Sequence, residues 1–263
     1  IYLDLLVSRQ FKEGDGVESA SQLHVKACPV SMYNRRLIEL QKEYARQLYT
    51  HVNPYTGLAY IDEPAIAMTD IINEGTLFVG RMPPEPYLSE FEEGFRKWLT
   101  EEKIDYDPTG TRLFGGVPAE PLVKYKVQME LAYYREMKAF LRQIGVKVPL
   151  TGSNYIMHSG MFASNEEMDF RDNHAYLHWL LKPGGNSWGE KPEQKCLESF
   201  SLTSRGDSGF SKLFHMRSLD KPFVVSEWNM TWPNAFRAES PIYFAAVAAL
   251  QNWSGATVHT YAY

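Results

Sequence analysis

The chain has little of what defines several large protein classes. Its 263 residues include only two cysteines, Cys28 and Cys196. Their wide separation matches no metal-binding spacing, and the pair indicates either a disulfide or two buried thiols. No apolar run is long enough to span a membrane, and no low-complexity tract indicates disorder.

Positive charge is not in excess either. The formal net charge is −5, and no stripe of lysine or arginine follows the chain to neutralise phosphates. The sequence therefore argues against a nucleic-acid partner and against a membrane. No stretch at the start resembles a signal peptide. Because the chain opens directly on a strand-like run, we expect further chain before residue 1.

What is present is an alternation of helix-like and strand-like segments. With 44% hydrophobic residues, a chain of this length can bury one large core. Apolar residues at helical spacing predict helices over about 34–51, 87–103, 120–144 and 240–251, the last with Ser240 as its N-cap. This alternation is typical of a parallel sheet with crossover helices.

Short runs of branched apolar residues predict six strands, at 1–7, 66–74, 146–154, 168–176, 222–229 and 256–263. Polar or aromatic residues stand at their ends: Arg9, Glu74, Asn154, His174, Glu227 and Tyr261. Ligand chemistry collected at the carboxyl ends of parallel strands is the arrangement of a (β/α)₈ barrel. We therefore predict an α/β fold, a (β/α)₈ TIM barrel, in a single domain over residues 1–263.

Two glutamates are informative because each directly follows a buried apolar run. Glu74 ends the run at 66–74, and Glu227 ends the run that begins at residue 222. A carboxylate at the end of a buried strand is costly unless it is hydrogen-bonded or used in chemistry. Two of them at matching strand ends predict two acids that converge on one bond. A glycosidase uses such a pair of carboxyl groups.

Further polar and aromatic residues fall near these glutamates or in predicted loops at the same face. Asn73 directly precedes Glu74 and supplies an amide that can hydrogen-bond a sugar hydroxyl. Trp188, Trp228 and Trp232 fall in predicted loops. We expect at least one of these three to stack on a sugar.

Two segments exceed ordinary loop length. Residues 83–118 follow the Glu74 strand, and residues 177–213 follow the strand predicted at 168–176. Long insertions at the carboxyl face of a barrel usually form lids or cleft walls. We predict that the first is a cleft-forming insertion.

Three motifs in chain order resemble clan A retaining glycoside hydrolases, including family 5 and its relatives. They are Asn73-Glu74, then His174-Ala175-Tyr176, then the run 224–229 with the letters VVSEWN. The resemblance implies that the Glu74 strand is the fourth of the barrel and the Glu227 strand the seventh. The chain would then lack the first two strands and expose unpaired sheet edges, so we expect either further chain or an unrecognised pairing.

The resemblance also implies a role for each motif residue. Glu227 is implied to be the nucleophile and Glu74 the acid/base, with Asn73 on the 2-hydroxyl of the sugar. Tyr176 is implied to lie against the nucleophile and His174 near the acid/base. A secreted or periplasmic enzyme is favoured by the resemblance alone.

The remaining candidate substrate-binding residues are Trp228, Asn229, Tyr261 and Arg9. In the clan, the last strand usually offers a tryptophan as a sugar platform, and here Tyr261 stands on that strand. Family 5 has a histidine pattern on its third strand, where this chain has Arg9. These departures bear on the exact family and the substrate.

The sequence thus predicts a hydrolase that cleaves β-glycosidic bonds of an oligo- or polysaccharide with retention of configuration. Glu227 would attack the anomeric carbon and form a glycosyl-enzyme. Glu74, with its pKa raised by burial and by the second carboxylate, would protonate the leaving oxygen and then activate water. The two carboxyl groups are expected about 5–5.5 Å apart. The predicted partner is a carbohydrate, and no metal or organic cofactor is required.

Two alternatives remain open. A non-catalytic carbohydrate-binding barrel would keep the aromatic residues and lose the productive geometry of the carboxylates. A metal-dependent hydrolase of the same fold would use His174, His178 and nearby acids, although no glutamate lies between the two histidines as in zinc proteases. Asp169 and Asp172 are open to two interpretations, sugar binding or a salt bridge at the strand end.

Overall fold

A computed structural model describes residues 1–5, 13–23, 28–78, 82–156, 158–176, 199, 201–204, 210–230 and 234–260. The chain divides into two compact units, Ile1–Asp169 and Phe170–Tyr263. Each unit has its own helices, parallel strands and apolar core. Among the helices of the described ranges, none has the length and apolar character that crossing a membrane requires.

The first unit contains α1 (Arg35–Thr50), β1 (Thr69–Ile72), α2 (Tyr87–Glu101), α3 (Glu120–Gln143), β2 (Leu150–Ser153) and α4 (Ser159–Ser164). The two strands pair in parallel, with Thr69 opposite Leu150. Tyr2 forms a parallel bridge to Asp70. The predicted first strand is therefore represented, among the described residues, by this single bridge.

The segment 83–118, predicted as a cleft-forming insertion, contains α2 and packs into the core of the first unit. The ring of Phe91 lies 4.7 Å from that of Phe114 and 5.3 Å from that of Tyr125, between ring centres. Phe95 is also fully buried. The insertion therefore contributes aromatic side chains to the core, and its part in a cleft stays a prediction.

A short hairpin follows α1. Val52 and Ala59 pair antiparallel, and Tyr55 at the tip is 96% exposed. Just beyond the hairpin, Ile61 packs closely on Gly145, where an added Cβ would lie 3.1 Å from the Ile61 side chain. Because Gly145 follows α3 and leads into β2, the hairpin lies at the amino-terminal end of the β1–β2 pair.

The second unit contains β3 (Arg171–Tyr176), α5 (Ser211–Phe214), β4 (Phe223–Asn229), α6 (Ser240–Leu250) and β5 (Gly255–Val258). Its strands form a parallel sheet in the order β3-β4-β5. His174 lies opposite Glu227, and Tyr176 lies opposite Asn229. The predicted site residues of these two strands are therefore neighbours in register.

The start of α6 differs from the prediction. The helix begins at Ser240, and Arg237–Glu239 form a 3₁₀ turn directly before it. The Ser240 hydroxyl donates to the carbonyl oxygen of Arg237 at 2.8 Å, so it does not accept from the first turn as an N-cap would. The predicted N-cap is therefore wrong, although the helix lies where the sequence places it.

The parallel α/β arrangement is confirmed, with five of the six predicted strands formed over the described residues. Within those residues, β5 is the edge of its sheet, and Val258 is 55% exposed. Nearby in sequence, α6 leaves Ile242 77% and Leu250 83% exposed. Closure of the strands into a barrel, and a single domain, stay predictions.

One polar side chain joins three elements of the first unit. Gln41 lies on the buried face of α1 and is 1% exposed. Its Nε2 donates to the carbonyl oxygens of Leu3 at 3.1 Å and Ile71 at 2.9 Å. Its Oε1 accepts from the hydroxyl of Tyr133 at 2.6 Å. The amide therefore ties α1 to β1, to the bridged segment and to α3.

We expect Gln41→Leu to lower the free energy of unfolding by about 2–4 kcal/mol, because it leaves two buried carbonyl groups and a buried hydroxyl without this partner. Urea unfolding at neutral pH measures the change. Gln47→Leu, on the exposed face of the same helix, is the matched control and should change stability by less than about 0.5 kcal/mol. Equal unfolding midpoints for the two variants would contradict the role given to Gln41.

Candidate functional site

Glu74 lies two residues after the end of β1, in an uncommon backbone conformation. Its φ is 51°, in the left-handed region that residues other than glycine seldom adopt. Lys103 and Asn252 also have positive φ, but each comes just after a helix, where this conformation is common. Glu74 follows a strand, so its conformation needs support from its surroundings.

Asn154, at the end of β2, gives that support. Its Oδ1 accepts from the backbone N–H of Glu74 at 2.7 Å. Its Nδ2 donates to Oδ1 of Asn73 at 2.9 Å and to Oδ2 of Asp70 at 3.1 Å. Asn154 is fully buried. One amide group therefore holds the Glu74 backbone and orients the side chain of Asn73.

Two buried carboxylates belong to the same network. Asp4 accepts from the backbone N–H of Asn73 at 2.7 Å, and Asp70 receives the bond from Asn154 described above. Asp4 is 7% exposed and Asp70 is 1% exposed. The sequence predicted Asn73 and Glu74 as site residues and placed Asn154 at a strand end, but it gave Asn154 no role and did not indicate Asp4 or Asp70. The available signal was the place of Asn154 at a predicted strand end.

Tyr155, the residue after Asn154, is a further member of this strand end that the sequence did not predict. It is half-buried, and burial raises the pKa of its hydroxyl, with the negative charge of Glu74 as the second cause. A charge acts strongly only over a short distance. Tyr155 is therefore an electrostatic neighbour of the Glu74 carboxylate.

In the second unit, Glu227 lies in β4 beside β3. The hydroxyl of Tyr176 donates to Glu227 Oε2, and Nδ1 of His174 lies 3.5 Å from the same oxygen. On the other side of its ring, Nε2 of His174 is 3.1 Å from the Ser226 hydroxyl. Glu227 is 8% exposed and His174 is 3% exposed. The fold thus brings two predicted site residues, Tyr176 and His174, to one carboxylate oxygen of a third.

Neighbouring polar groups hold the three strands of this sheet together. Asp172 is fully buried and accepts from the backbone N–H of Ser226 at 2.9 Å. Nδ2 of Asn229 donates to the carbonyl oxygens of His259 at 3.0 Å and Thr260 at 3.3 Å. Asn229, predicted to bind substrate, therefore also fixes the residues that follow β5.

Trp228 requires a correction. It lies within β4 and not in a loop, and it is 6% exposed. Its ring is stacked on Phe244 with the ring centres 4.1 Å apart, and Phe210 packs against it edge-on at 6.3 Å. Successive residues of a strand point to opposite faces, so Trp228 faces the core and not the side of Glu227. The prediction that it binds substrate is wrong.

For Asp169, the structure decides between the two interpretations, sugar binding and a salt bridge at the strand end. Its carboxylate accepts from Lys138 at 2.7 Å, from Arg142 at 2.6 Å and from the backbone N–H of Leu150 at 2.9 Å. The salt-bridge interpretation is confirmed for this residue. Asp172, as described above, is used in bonding between strands.

Several predicted residues lie outside the described ranges: Arg9, His178, Trp188, Cys196, Trp232 and Tyr261. Their roles, including the use of His178 in the metal-dependent alternative, stay predictions. Most of the long segment 177–213 also lies outside those ranges. Cys28 is half-buried, with its Sγ 3.8 Å from the carbonyl oxygen of Thr76.

Two charged residues are buried one turn apart on α3. Lys126 is 1% exposed and Glu130 is 0% exposed. The Lys126 ammonium lies 4.9 Å from the ring centre of Phe114 and 5.8 Å from that of Phe78. Burial lowers the pKa of Lys126 to about 8, against the opposing effect of Glu130. Burial raises the pKa of Glu130, against the bonds that it accepts.

The chain is similar to solved structures of mannanases and of a mannosidase. The endo-β-1,4-mannanase from Thermotoga petrophila has 16% identity and a TM-score of 0.49, with 87% of this chain and 42% of that chain covered. The endo-1,4-β-mannanase from Rhizomucor miehei has 16% identity and a TM-score of 0.49, covering 87% and 54%. The glycoside hydrolase family 5 mannosidase from Rhizomucor miehei has 12% identity and a TM-score of 0.45, covering 87% and 48%.

The chain spans about half the length of the solved structures it matches, 42–54% for these three. No protein-family model matches the chain, and no curated protein does. The similarity is to family 5, the family that the sequence motifs resemble.

We expect Asn154→Asp to destabilise the protein by about 2–4 kcal/mol at pH 7, because it sets a carboxylate against Asp70 and the side-chain oxygen of Asn73. The like charge raises the folded-state pKa of the new carboxyl group. The folded state then binds more protons than the unfolded state, so the defect should shrink as the pH falls from 7 to 4. Asn53→Asp, which keeps its acceptor for Tyr55, is the control, and urea unfolding measures both variants. A pH-independent defect would refute this account.

We expect the free energy of unfolding to depend on pH through the titration of Lys126. Because burial lowers its folded-state pKa to about 8, the unfolded state binds more protons between pH 8 and 10, so stability rises with pH in this window. Relative to Lys126→Met, the wild type should gain on the order of 2 kcal/mol from pH 8 to 10. Lys124→Met, on the exposed face of the same helix, is the control. Parallel pH profiles of the wild type and Lys126→Met would show that Lys126 is not the cause.

Proposed function

We propose that the protein is a retaining glycoside hydrolase on a (β/α)₈ barrel, acting on β-glycosidic bonds of an oligo- or polysaccharide. The observation that supports this most directly is the surroundings of Glu227. Its carboxylate stands near the carboxyl end of a buried parallel strand, with the Tyr176 hydroxyl and the His174 ring at one of its oxygens. In barrel enzymes, catalytic groups come from this end of the strands.

Glu227 is the nucleophile in this proposal. Both Tyr176 and His174 approach Oε2, so Oε1 is the oxygen assigned to the attack on the anomeric carbon. Attack forms a covalent glycosyl-enzyme and expels the leaving group. The hydrogen bond from Tyr176 fixes the rotation of the carboxylate, which keeps Oε1 aimed in one direction.

Glu74 is the acid/base. It protonates the leaving oxygen in the first step and removes a proton from water in the second, which releases the sugar with its configuration retained. The bond from its N–H to Asn154 fixes the start of its side chain. Asn73, oriented by the same amide, is assigned to the 2-hydroxyl of the sugar. A double displacement requires both carboxylates to act on the same bond.

The remaining assignments follow the same scheme. Asn229, Arg9 and Tyr261 are proposed to contact the substrate, and no metal or organic cofactor takes part. Binding of an oligosaccharide without cleavage, even of substrates with activated leaving groups, would favour a non-catalytic binding protein. Loss of activity with a chelator, restored by zinc, would favour the metal-dependent alternative.

Azide rescue tests both glutamates and tells their roles apart. With 2,4-dinitrophenyl β-glucoside or β-mannoside, Glu227→Ala should lose at least about a thousandfold in kcat/KM. Added azide should then occupy the place of the missing nucleophile and give the α-glycosyl azide. In Glu74→Ala, azide should attack the glycosyl-enzyme and give the β-glycosyl azide. Product configuration is read by NMR.

Glu93→Ala is the control, since this glutamate is exposed on α2, and it should keep wild-type turnover. Near-normal kcat/KM in Glu227→Ala with the dinitrophenyl substrate, or in Glu74→Ala with a phenyl β-glycoside, whose poor leaving group needs the acid, would refute the assignment. The same azide anomer from both variants would refute the division of roles between them.

A further inference from the structure

The segment that follows Glu74, residues 75–78, turns tightly against β1. A Cβ on Gly75 would lie 2.6 Å from the side chain of Ile72 and 3.0 Å from Sγ of Cys28. Real Cβ atoms essentially never approach other atoms so closely, so any larger residue here would have to displace the Ile72 side chain. The backbone just after Glu74 is therefore confined by its neighbours.

Glu130 binds this segment from α3. Its Oε1 accepts from the Thr76 hydroxyl at 2.6 Å and from the backbone N–H of Leu77 at 2.6 Å. Its Oε2 accepts from the hydroxyl of Ser164, on α4, at 2.6 Å. All four residues are 0% exposed. One buried carboxylate thus joins the segment after Glu74 to two helices.

A buried carboxylate stabilises a core poorly, because its desolvation costs free energy. Taking such a charge out of water costs several kcal/mol even when it is well bonded, and apolar replacements of buried ionic groups are often as stable. What an apolar side chain cannot do is fix the direction of particular donors, and two of the three donors to Glu130 belong to the segment after Glu74. The Thr76 hydroxyl also accepts from the N–H of Phe78 at 3.1 Å, which extends the fixed region.

We infer that Glu130 is a positioning residue for Glu74, an inference that rests on the proposed role of Glu74 as acid/base. Asn154 holds the Glu74 backbone by accepting from the N–H of Glu74. Glu130 holds Thr76 and Leu77, which follow Glu74 in the chain. Weakening the bonds to Glu130 would let the Glu74 carboxyl group move relative to the leaving oxygen. A misplacement of about 1 Å costs about a hundredfold in rate.

Two hydroxyl groups provide a matched test. Thr76→Val and Ser164→Ala each remove one hydroxyl donor, at 2.6 Å, from the same carboxylate, but only Thr76 belongs to the segment after Glu74. Both variants are assayed with phenyl and 2,4-dinitrophenyl β-glycosides of the sugar that the wild type cleaves. Dinitrophenolate leaves without protonation, whereas phenolate needs the acid, so the ratio of the two kcat/KM values reports on Glu74.

Thr76→Val should lower kcat/KM for the phenyl substrate by about 10- to 100-fold and for the dinitrophenyl substrate by less than about threefold. Ser164→Ala should lower neither by more than about threefold, although its unfolding midpoint should fall similarly. Thr76→Ser restores the donor and should return the ratio to the wild-type value. If Thr76→Val does not fold, Glu130→Asp gives the same test, because it keeps the charge and withdraws it by one methylene.

The outcomes separate this inference from the proposed function. If the wild type cleaves none of a panel of aryl β-glycosides, oligosaccharides and polysaccharides, the proposed function fails and the inference fails with it. If the wild type is active and Glu74→Ala loses only the phenyl substrate, but Thr76→Val keeps the wild-type ratio, the inference alone is overturned. The same holds if Ser164→Ala changes the ratio as much as Thr76→Val does.

Discussion

Polar groups that end buried parallel strands must find hydrogen-bond partners inside the protein, and much of the candidate site follows from this requirement. In the first unit, the side chain of Asn154 meets it with one acceptor and two donor bonds. In the second unit, the Tyr176 hydroxyl and the His174 ring meet it at Glu227. An unpaired buried carboxylate or amide costs free energy comparable to a large share of a domain's stability, so these contacts fix the geometry.

The secondary structure was largely predictable because its signals are local. The apolar stripe of α1 and the run before Glu227 each repeat at the period of their element, so both appear within a short window. Helix ends were harder. Ser240 has the composition of an N-cap, yet its hydroxyl donates backward to Arg237, and that choice depends on the 3₁₀ turn before it.

The candidate site was predictable only where a residue stands at a strand end. Asn73, Glu74, Tyr176 and Glu227 have that signature. Glu130 does not, because it lies mid-helix and meets Thr76 from 54 positions away in the chain, a pairing that tertiary packing alone creates. Trp228 misled for a related reason: its neighbour in sequence is a site residue, but alternation along the strand turns its indole toward Phe244.

The hairpin after α1 has a practical consequence. Tyr55 stands at its tip almost entirely in solvent, at the amino-terminal end of the β1–β2 pair, while Glu74 follows the carboxyl end of β1. Exposed hairpin tips tolerate insertions and chemical attachment better than other positions. A tether placed there would hold the protein on a bead or sensor surface with the Glu74 end of this unit turned outward, toward the solution.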